Sequence, residues 1–420
     1  IPGEKFDGHD YVADAFAKGA VCAVVSRELE AEKFAGKCLV QVEDTIRALG
    51  DLATEYRRQA CFKVVAITGS VGKTTTRQII HHVLSRHFRV HQSPASFNNN
   101  IGVPLTLLSA ASDIQIVVAE LGSNHPGEIS YLTRIAGPDI AIVTNVHPAH
   151  LEGFGDLQTI VNEKLSISEG LRPGGILIIN ADFEQLVNAC RAGGIRFTTF
   201  GRSDGSKYPV KNIRADGSAS RFTINGKEVR LPLPGPGNVE NALAAWAVCS
   251  ELGLTVDDFA RGIESLPPVS MRAELLHVGT LTVLSDCYNA NPASMCNALR
   301  ILAGLETADK NRLVFICGEM AELGPQAREL HAELGASIAQ AGVKLVVAVG
   351  ELAKIAGERA RADAKYDLQM KCFPDTISAC NNLHEFIKDY DIILIKGSRT
   401  ATLETVVKKL RELFSVKCVS

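Results

Sequence analysis

The stretch that most constrains this chain spans residues 66–76 and reads Ala-Ile-Thr-Gly-Ser-Val-Gly-Lys-Thr-Thr-Thr. Residues 62–67, just before the turn, are mostly apolar and predict a short buried strand. Residues 78–84 carry apolar side chains at helical spacing. A strand, a glycine-rich turn and a helix, in this order, are typical of a phosphate loop. Two residues lie between Gly69 and Gly72, whereas the generic loop has four between its glycines.

Each part of this loop has a chemical task in nucleotide binding. The glycines let backbone N–H groups close around phosphate oxygens, and the start of the helix adds partial positive charge. We expect Lys73 on the outer phosphates and the Thr74 hydroxyl on a Mg²⁺ ion. A glycine-rich turn without phosphate is the alternative. The agreement of the strand, the first glycine, the Gly-Lys-Thr stretch and the helix favours an ATP or GTP site. The predicted loop residues are Gly69, Ser70, Gly72, Lys73, Thr74 and Thr75.

Composition narrows the class of protein. The chain has 420 residues, a length that suits about two to four domains with a large core. Its net charge is −3 with well-mixed charges, which gives no basic face for nucleic acid, and no apolar run is long enough for a membrane span. Eleven cysteines without a Cys-x-x-Cys pair fit free thiols in a reducing compartment. We expect a cytoplasmic monomer that neither binds nucleic acid nor inserts into a membrane.

The order of predicted elements indicates an α/β fold with three domains. Residues 1–61 form a small α/β unit with a helix over 10–20, a strand over 21–25 and a last helix capped by Asp44. Residues 62–267 alternate strands and helices as in a doubly wound parallel sheet, with an added hairpin that turns at Asn225-Gly226 and a helix over 241–252. Beyond a Pro-Pro linker, residues 268–420 alternate again as a second open sheet. The predicted strands span 64–67, 114–119, 140–143, 176–179, 281–285, 313–317, 345–349 and 392–395.

Polar side chains collect where predicted strands end, which is where open α/β sheets bind ligands. Glu120 follows one strand and either shares a Mg²⁺ ion with Thr74 or is a solvated acid. His147 and His150 follow another strand and are metal ligands, bases or surface residues. Residues 98–100 are three consecutive Asn, which either bind substrate or form a polar turn.

Two similar clusters follow strands in the C-terminal half. Residues 286–292 read Asp-Cys-Tyr-Asn-Ala-Asn-Pro, and residues 396–399 read Lys-Gly-Ser-Arg. Both suit ligand carboxylates or phosphates, and a helix-capping role is equally open. Lys164 lies on a predicted helix, where a lysine is normally a solvated charge.

The order of these motifs resembles that of the Mur ligases, ATP-dependent amide-forming enzymes of peptidoglycan synthesis with the same short glycine spacing. Within the family the chain is most similar to members that join D-alanyl-D-alanine to a UDP-N-acetylmuramoyl-tripeptide. The alternatives are another Mur-type ligase, a folylpolyglutamate-type ligase, or a nucleotide-dependent switch that ligates nothing. The resemblance is carried by residues 3–9, 97–106 (Phe-Asn-Asn-Asn-Ile-Gly-Val-Pro-Leu-Thr), 120–128, 148–154, 288–292 and 318–324 (Gly-Glu-Met-Ala-Glu-Leu-Gly).

The resemblance also implies roles for the domains and for single residues. It implies an N-terminal domain for the UDP-sugar, a central P-loop ATPase domain and a C-terminal Rossmann-like domain that closes over the site, with ATP and Mg²⁺ as cofactors. By motif position, the catalytic residues are Lys73, His150 and a carbamoylated Lys164, and the metal ligands are Thr74, Glu120, His150 and Lys164. Nucleotide contacts fall to Asn238, Asn241, Arg272 and Asp286, and substrate contacts to Asn98, Asn99, Asn289, Asn291, Lys396 and Ser398.

The chain departs from the family pattern in three places. Gly237 stands where the family usually has histidine before Asn238. Lys164 is preceded by Glu163 rather than by a small residue. A stretch expected upstream of Gly3 is absent from the sequence, so we expect the UDP-sugar domain to be incomplete at its N-terminus.

Overall fold

The computed structural model describes residues 1–3, 6–305 and 311–414. Glu4 and Lys5, within the motif at 3–9, lie outside the described residues. The predicted α/β class is confirmed, with parallel sheets in the centre and in the C-terminal part. No described helix combines the length and the apolar character that a bilayer span requires.

The N-terminal unit is a two-stranded parallel sheet covered on one face by a short helix. Its strands are β1 (Cys22–Val25) and β2 (Cys38–Gln41), and the helix is α1 (Val12–Ala17). Phe16 of α1 packs on Val25. The helix predicted over residues 10–20 is shorter than expected, because a 3₁₀ turn (Gly8–Tyr11) precedes it and Gly19, with φ of 99°, follows its end.

A seven-stranded parallel sheet forms the centre of the molecule, and its strand order is β4-β5-β3-β6-β7-β8-β9. Its middle strands are buried on both faces, which is why they read as continuous apolar runs. Helix α2 (Thr45–Gln59) precedes the sheet. The strands are β3 (Lys63–Thr68), β4 (Val90–Gln92), β5 (Ile116–Glu120), β6 (Ile140–Val143), β7 (Ile176–Asn180), β8 (Thr198–Gly201) and β9 (Tyr208–Pro209).

Helices cover both faces of this sheet, and a separate three-stranded antiparallel sheet packs on the same hydrophobic core. The turn of the hairpin between its last two strands is Asn225-Gly226, as predicted, and both residues have positive φ. The helices are α3 (Lys73–Leu84), α4 (Gly102–Leu108), α5 (Glu128–Ala136), α6 (Leu151–Phe154), α7 (Leu157–Leu165), α8 (Glu184–Ala192), α9 (Pro236–Glu251) and α10 (Val256–Ile263). The added strands are β10 (Lys211–Asp216), β11 (Ala219–Ile224) and β12 (Lys227–Leu231).

Helix α9 starts five residues earlier than the predicted 241–252, at Pro236. The sequence there is rich in Pro and Gly and reads as a loop, but proline is well suited to the first position of a helix because its φ is already helical. The early start places Gly237 and Asn238 in the first turn of the helix.

Helix α2 is held against the central sheet layer by one buried arginine. Its predicted cap is confirmed, since the Asp44 carboxylate accepts from the N–H groups of Ile46 and Arg47. Arg57 is 3% exposed and donates to Ala136 O, to Phe62 O and to Asp139 Oδ2. The helix also packs on α4 and α5. Helix α2 therefore contacts the central layer, although the predicted domain boundary places it in the N-terminal unit of residues 1–61. The domain boundaries after residues 61 and 267 stay predictions.

The C-terminal part is a six-stranded sheet in the order β13-β14-β18-β15-β16-β17, with only β13 antiparallel to its neighbour. The carboxyl ends of β14 and β18 lie side by side and face the central sheet across a cleft. The strands are β13 (Glu274–Val278), β14 (Leu281–Ser285), β15 (Leu313–Gly318), β16 (Leu345–Val349), β17 (Gln369–Phe373) and β18 (Ile392–Lys396). The helices are α11 (Pro292–Gly304), α12 (Ala327–Gln340), α13 (Glu351–Asp363), α14 (Thr376–Phe386) and α15 (Glu404–Phe414).

Candidate active site

The loop between β3 and α3 has no room for side chains at its two glycines. Gly69 and Gly72 have φ of 144° and 87°, a region that favours glycine. A Cβ at Gly69 would lie 2.0 Å from Thr144 Oγ1, and one at Gly72 would lie 2.0 Å from Asn241 Oδ1. The glycines therefore let the loop pack tightly against the end of β6 and against α9.

The loop presents unpaired donors to the cleft. Among the described residues, the backbone N–H groups from Gly72 to Thr75 have no hydrogen-bond partner. They open α3, so the helix adds partial positive charge at the same point. Lys73 Nζ donates to Gly69 O at 2.7 Å, and burial lowers the pKa of Lys73 while Glu120 opposes that shift. Free donors and a lysine on one loop fit the phosphates of a nucleotide.

Oxygen ligands for a hard cation lie beside this loop. Thr74 Oγ1 donates to Glu120 Oε2 at 2.8 Å, and Asn98 Nδ2 donates to Glu120 Oε1 at 3.0 Å. A hydroxyl and a carboxylate that share one point fit Mg²⁺, which takes few protein ligands when it also binds phosphates. Within the described ranges, no group of three or more His, Cys, Asp or Glu side chains could hold a metal ion by itself.

One cleft of about 1200 Å³ joins this loop to the strand ends of the C-terminal sheet. Of the predicted site residues, Gly69 and Lys164 do not line it. The residues that do line it are Ser70, Gly72, Lys73, Thr74, Thr75, Asn98, Asn99, Glu120, His150, Asn238, Asn241, Arg272, Asp286, Asn289, Asn291, Lys396 and Ser398.

Several of the predicted amide contacts are already occupied within the protein. Asn241 accepts from Thr76 Oγ1 at 3.4 Å, and Asn238 Nδ2 donates to Pro234 O at 2.8 Å. Asn99 Oδ1 accepts from Gly102 N at 2.9 Å and so caps the start of α4. Asn238 and Asn99 thus hold backbone groups of the cleft wall, and Asn241 holds the Thr76 hydroxyl. For Asn99 this is the polar turn that the sequence left open as an alternative.

The corner between α9 and α11 is closely packed. Gly237 N donates to Asn297 Oδ1 at 3.2 Å, and a Cβ at Gly237 would lie 2.8 Å from that oxygen. Both residues line the cleft, one from each large sheet region. The amide of Asn297 thus takes up the space that a side chain at position 237 would need.

On the C-terminal wall a buried ion pair fixes the loop that follows β14. Lys396 is 2% exposed, its Nζ lies 2.7 Å from Asp286 Oδ2, and it also donates to Asn289 O at 2.9 Å. Asp286 Oδ1 accepts from Ala273 N at 3.1 Å. Lys396 is therefore a positioning residue in this structure, and its charge is paired with that of Asp286.

Of the other predicted substrate residues on this wall, two are held by contacts within the protein and one is exposed. Asn291 caps α11 by accepting from Ser294 N at 2.9 Å, and Ser398 is 2% exposed and bonded to Thr400. Asn289 is exposed, and its side-chain oxygen accepts from the N–H of Ala290. The residue lines the cleft.

His150 bridges the two walls of the cleft. Its Nδ1 contacts the Glu322 carboxylate, and Glu152 N donates to Glu322 O at 3.2 Å. Burial and the neighbouring Lys73 lower the pKa of His150, while Glu322 opposes the shift. His147 is different: its ring stacks edge-on to Phe183, and burial lowers its pKa to about 4. His147 is therefore neutral at physiological pH.

Lys164 lies behind the cleft wall and contacts it through one hydroxyl. It is 2% exposed, and its Nζ donates to Ser123 Oγ at 2.8 Å. Burial, followed by the charge of Lys73, lowers the pKa of Lys164 to about 7. Glu163 beside it caps α5, accepting from Gly127 N and Ile129 N at 2.7 and 2.8 Å. The unusual acid before Lys164 thus has a structural role.

Sequence reasoning missed a cluster around Tyr288. The guanidinium of Arg272 lies 4.2 Å from the centre of the Tyr288 ring, and that of Arg399 lies 5.9 Å away on the same ring. The Tyr288 hydroxyl contacts Ser96 of the opposite wall. The strand-end position of the stretch 396–399 was a signal for Arg399, but nothing local pairs it with Tyr288.

Arg77 was also missed. It is 1% exposed, and its Nε lies 3.9 Å from Glu120 Oε2. Among the described residues, its Nε and Nη1 have no hydrogen-bond partner. A buried cation therefore lies directly against the Glu120 carboxylate.

The site has a glycine-rich loop with free N–H donors, and this loop faces the polar strand ends of a second sheet. These features define a phosphate-loop nucleotide-binding enzyme. A family model described as the Mur ligase middle domain matches residues 67–249, and one described as the Mur ligase, glutamate ligase domain matches residues 271–399. The chain belongs to the Mur ligase family, and the predicted resemblance is confirmed.

The similarity to individual proteins runs along almost the whole chain. A Bacillus subtilis protein named UDP-N-acetylmuramoyl-tripeptide–D-alanyl-D-alanine ligase is 34% identical over 98% of this chain and 89% of its own length. A crystal structure of MurF from Acinetobacter baumannii has a TM-score of 0.87 and 32% identity, and covers 98% of this chain and 89% of its own. MurF ligase from Thermotoga maritima in complex with ADP has a TM-score of 0.86 and 26% identity, over 98% and 93%.

Proposed function

We propose that the chain is an ATP-dependent, ADP-forming ligase that adds D-alanyl-D-alanine to UDP-N-acetylmuramoyl-tripeptide in peptidoglycan precursor synthesis. Near-full-length similarity to proteins named for that reaction supports it. The observation in the molecule that carries the proposal is the single cleft, which places a phosphate loop opposite exposed polar groups of a second sheet. A nucleotide switch would not need that second wall.

The first step activates a carboxylate. The terminal carboxylate of the tripeptide attacks the γ-phosphorus of ATP, the bond to the β-phosphate oxygen breaks, and an acyl phosphate and ADP form. Both partners are anions, so their approach needs positive groups. The N–H groups at the start of α3 and the ammonium of Lys73 provide them, and they are in place before substrate arrives.

The metal ligands fall into two groups. Thr74 and Glu120 would hold one Mg²⁺ ion, and His150 with a carbamoylated Lys164 would hold a second, as the family resemblance implies. When bound, Mg²⁺ offsets phosphate charge and polarises the phosphoryl oxygens. Asn98 and Arg77 would orient Glu120 for this role, since each lies against that carboxylate.

The second step forms the amide. The amine of D-alanyl-D-alanine attacks the acyl carbon, and a tetrahedral intermediate forms. The carbon–oxygen bond to the phosphate then breaks and the nitrogen loses one proton, which gives the amide and inorganic phosphate. Arg399, Arg272 and Asn289 present cationic and amide donors toward the cleft, which suit the carboxylate and carbonyl groups of a dipeptide. The His150–Glu322 contact would hold the walls together and exclude water, which otherwise hydrolyses the acyl phosphate.

Lys164 has a distinct role in the proposal. A protonated lysine would repel a metal ion, whereas a lysine whose pKa is lowered to about 7 carries a substantial share of neutral amine. That amine adds to CO₂, a C–N bond forms, one proton is released, and the product is an anionic carbamate with two oxygen ligands.

A separate proposal concerns location and oligomeric state. We propose that the enzyme acts as a cytoplasmic monomer.

Product analysis tests the proposed function. The purified chain is incubated with ATP, Mg²⁺, D-alanyl-D-alanine and a UDP-N-acetylmuramoyl-tripeptide ending in either diaminopimelate or lysine. We expect mass spectrometry to show a UDP-pentapeptide and stoichiometric ADP with one of the two tripeptides. ATP hydrolysis at the same rate without either substrate would overturn the proposal. Ligation of single amino acids instead of the dipeptide would favour a sister ligase.

A further inference from the structure

Two cysteines of the N-terminal unit face each other across neighbouring strands. Cys22 of β1 and Cys38 of β2 are direct partners in the parallel register. Neighbouring strands lie about 4.8 Å apart, and disulfides form between Cα atoms roughly 4.4–6.8 Å apart. The backbone therefore already holds the pair at a separation that a disulfide can bridge.

The two thiols also lie on the same face of the small sheet. Ala23, Val25 and Leu39 pack with Phe16 on the inner face of the small sheet, so the alternation of each strand turns Cys22 and Cys38 outward. Both are exposed. The neighbouring Cys38 thiol raises the pKa of Cys22, which agrees with the pairing of the two positions.

The other described cysteines lack this arrangement. Cys61 and Cys372 are exposed, but neither faces another cysteine in a strand pairing, since Cys372 of β17 pairs with Ala348 and Cys61 lies outside the strands. The buried ones are Cys190, Cys249, Cys287, Cys317 and Cys380, and Cys296 is partly exposed and lies against the Ser337 hydroxyl. Within the described part of the chain, reagents in solution would thus meet one dithiol and single thiols that serve as internal controls.

We propose that Cys22 and Cys38 form a reversible thiol–disulfide site that reacts with low-molecular-weight disulfides such as oxidised glutathione. The thiolate of one cysteine attacks a sulfur of the reagent, and a mixed disulfide forms as one glutathione thiolate leaves. The second cysteine then attacks the protein sulfur of that mixed disulfide, and the second glutathione leaves. Two protein thiols are oxidised to one disulfide, and one glutathione disulfide is reduced to two thiols.

The product closes a ring over residues 23–37, which contain the 3₁₀ turn Ala31–Phe34. A cross-link between adjacent strands removes open conformations of the segment between them. We therefore expect hydrogen exchange within 23–37 to slow upon oxidation and to recover upon reduction. The inference is independent of the proposed ligase activity, since it depends only on the pair.

Peptide mapping of the intact chain tests the proposal. The protein is treated with oxidised glutathione, unreacted thiols are alkylated, and trypsin is added without reductant. Cleavage after Lys18, Arg27, Lys37 and Arg47 leaves Cys22 in peptide 19–27 and Cys38 in peptide 38–47. We expect these peptides joined, with a mass about 2 Da below their sum, and separated again by dithiothreitol.

Variants sharpen the result. C22S and C38S should each retain glutathione on the remaining cysteine, because the resolving thiol is gone, whereas C61S should give the joined peptides as wild type does. One equivalent of phenylarsine oxide, a dithiol reagent, should block both thiols in wild type and in C61S. It should not block the single remaining thiol in C22S or C38S. Stable glutathione adducts at both positions in wild type, or disulfide-linked dimers in place of the internal link, would overturn the proposal.

Discussion

The two walls of the cleft use their polar groups in opposite ways. On the central wall, the N–H groups at the start of α3 have no partner among the described residues, and the loop is rigid because its glycines pack against Thr144 and Asn241. On the C-terminal wall, Lys396, Asp286 and Asn291 are saturated by contacts within the protein. The central wall thus offers free N–H donors to a ligand, whereas the C-terminal wall uses its buried polar groups to hold a few exposed ones in place.

The difference teaches that a polar residue at a strand end has two distinct uses. Free donors on a fixed backbone contribute directly to the ligand, because no internal bond has to break first. A buried ion pair contributes by holding the loop from which Asn289 and Tyr288 reach the cleft. Substitutions on the two walls should therefore fail differently, in activity on one and in stability on the other.

The largest effect is expected from Lys73→Ala. Among the described residues, its ammonium donates to the loop carbonyl of Gly69 and to no other group. Its removal should therefore lower ligation by about 10²–10³-fold, as for other preorganised charge donors. The melting temperature should hardly move. Steady-state rates and thermal unfolding check both, with the surface lysine variant Lys227→Ala as control. A variant that keeps half of the wild-type rate would contradict the role of this lysine.

Lys164→Ala should come next, with a loss of about 10²-fold if a metal-holding carbamate is removed. Acetate or formate should restore part of the rate in this variant but not in Lys164→Arg, which also cannot form the carbamate and leaves no space. Because the pKa of Lys164 is lowered to about 7, neutral amine increases between pH 6 and 8. Activation of wild type by bicarbonate should rise over the same range.

A high-resolution structure gives the decisive contrast for Lys164. Planar density beyond Nζ is expected in the presence of bicarbonate. Density that ends at Nζ, together with no rescue by small carboxylates, would show that Lys164 acts as a cation through Ser123.

On the opposite wall, Lys396→Met should mainly lower stability. It leaves the Asp286 carboxylate without its buried partner, and breaking such a pair costs about 3 kcal/mol or more. Hydrogen exchange in β14 and β18 should speed up accordingly. Adding Asp286→Asn should recover most of the loss. Unchanged exchange together with a lost dipeptide site would instead show that Lys396 contacts substrate directly.

The smallest effects separate two neighbouring asparagines. Asn291→Ala removes the cap of α11 and should cost about 1 kcal/mol of stability. Asn289→Ala should leave stability within about 0.5 kcal/mol and raise KM for the dipeptide several-fold with kcat little changed. Chemical denaturation and substrate titration of both variants measure the contrast. Equal behaviour of the pair would remove the distinction between holding and binding groups.

The sequence predicted the loop, the strands and the fold because these depend on local patterns. The apolar runs at 140–143, 281–285 and 345–349 coincide with strands of the structure, since continuous apolar residues favour burial in a parallel sheet. The start of α9 was wrong by five residues, because Pro-Gly repeats favour loops in local statistics while packing decides here.

What the sequence could not predict are contacts between distant segments. Glu163 caps α5 from 34 or 36 positions along the chain, and Lys396 bonds the loop of Asp286 from 110 positions away. The stacking of Arg399 on Tyr288 depends on which strand ends become neighbours. Residue types at these positions are compatible with several roles until the sheet order is known.

The close approach of Gly237 to Asn297 has a consequence for the design of selective inhibitors. The carboxamide fills the corner that a larger side chain at 237 would occupy, and it does so across the boundary between the two sheet regions. An inhibitor that contacts the Asn297 carboxamide would meet a different surface in an enzyme with a larger side chain at position 237, because that side chain and the carboxamide cannot share the corner. The absence of a side chain at position 237 thus gives a structural basis for selective inhibition of this enzyme.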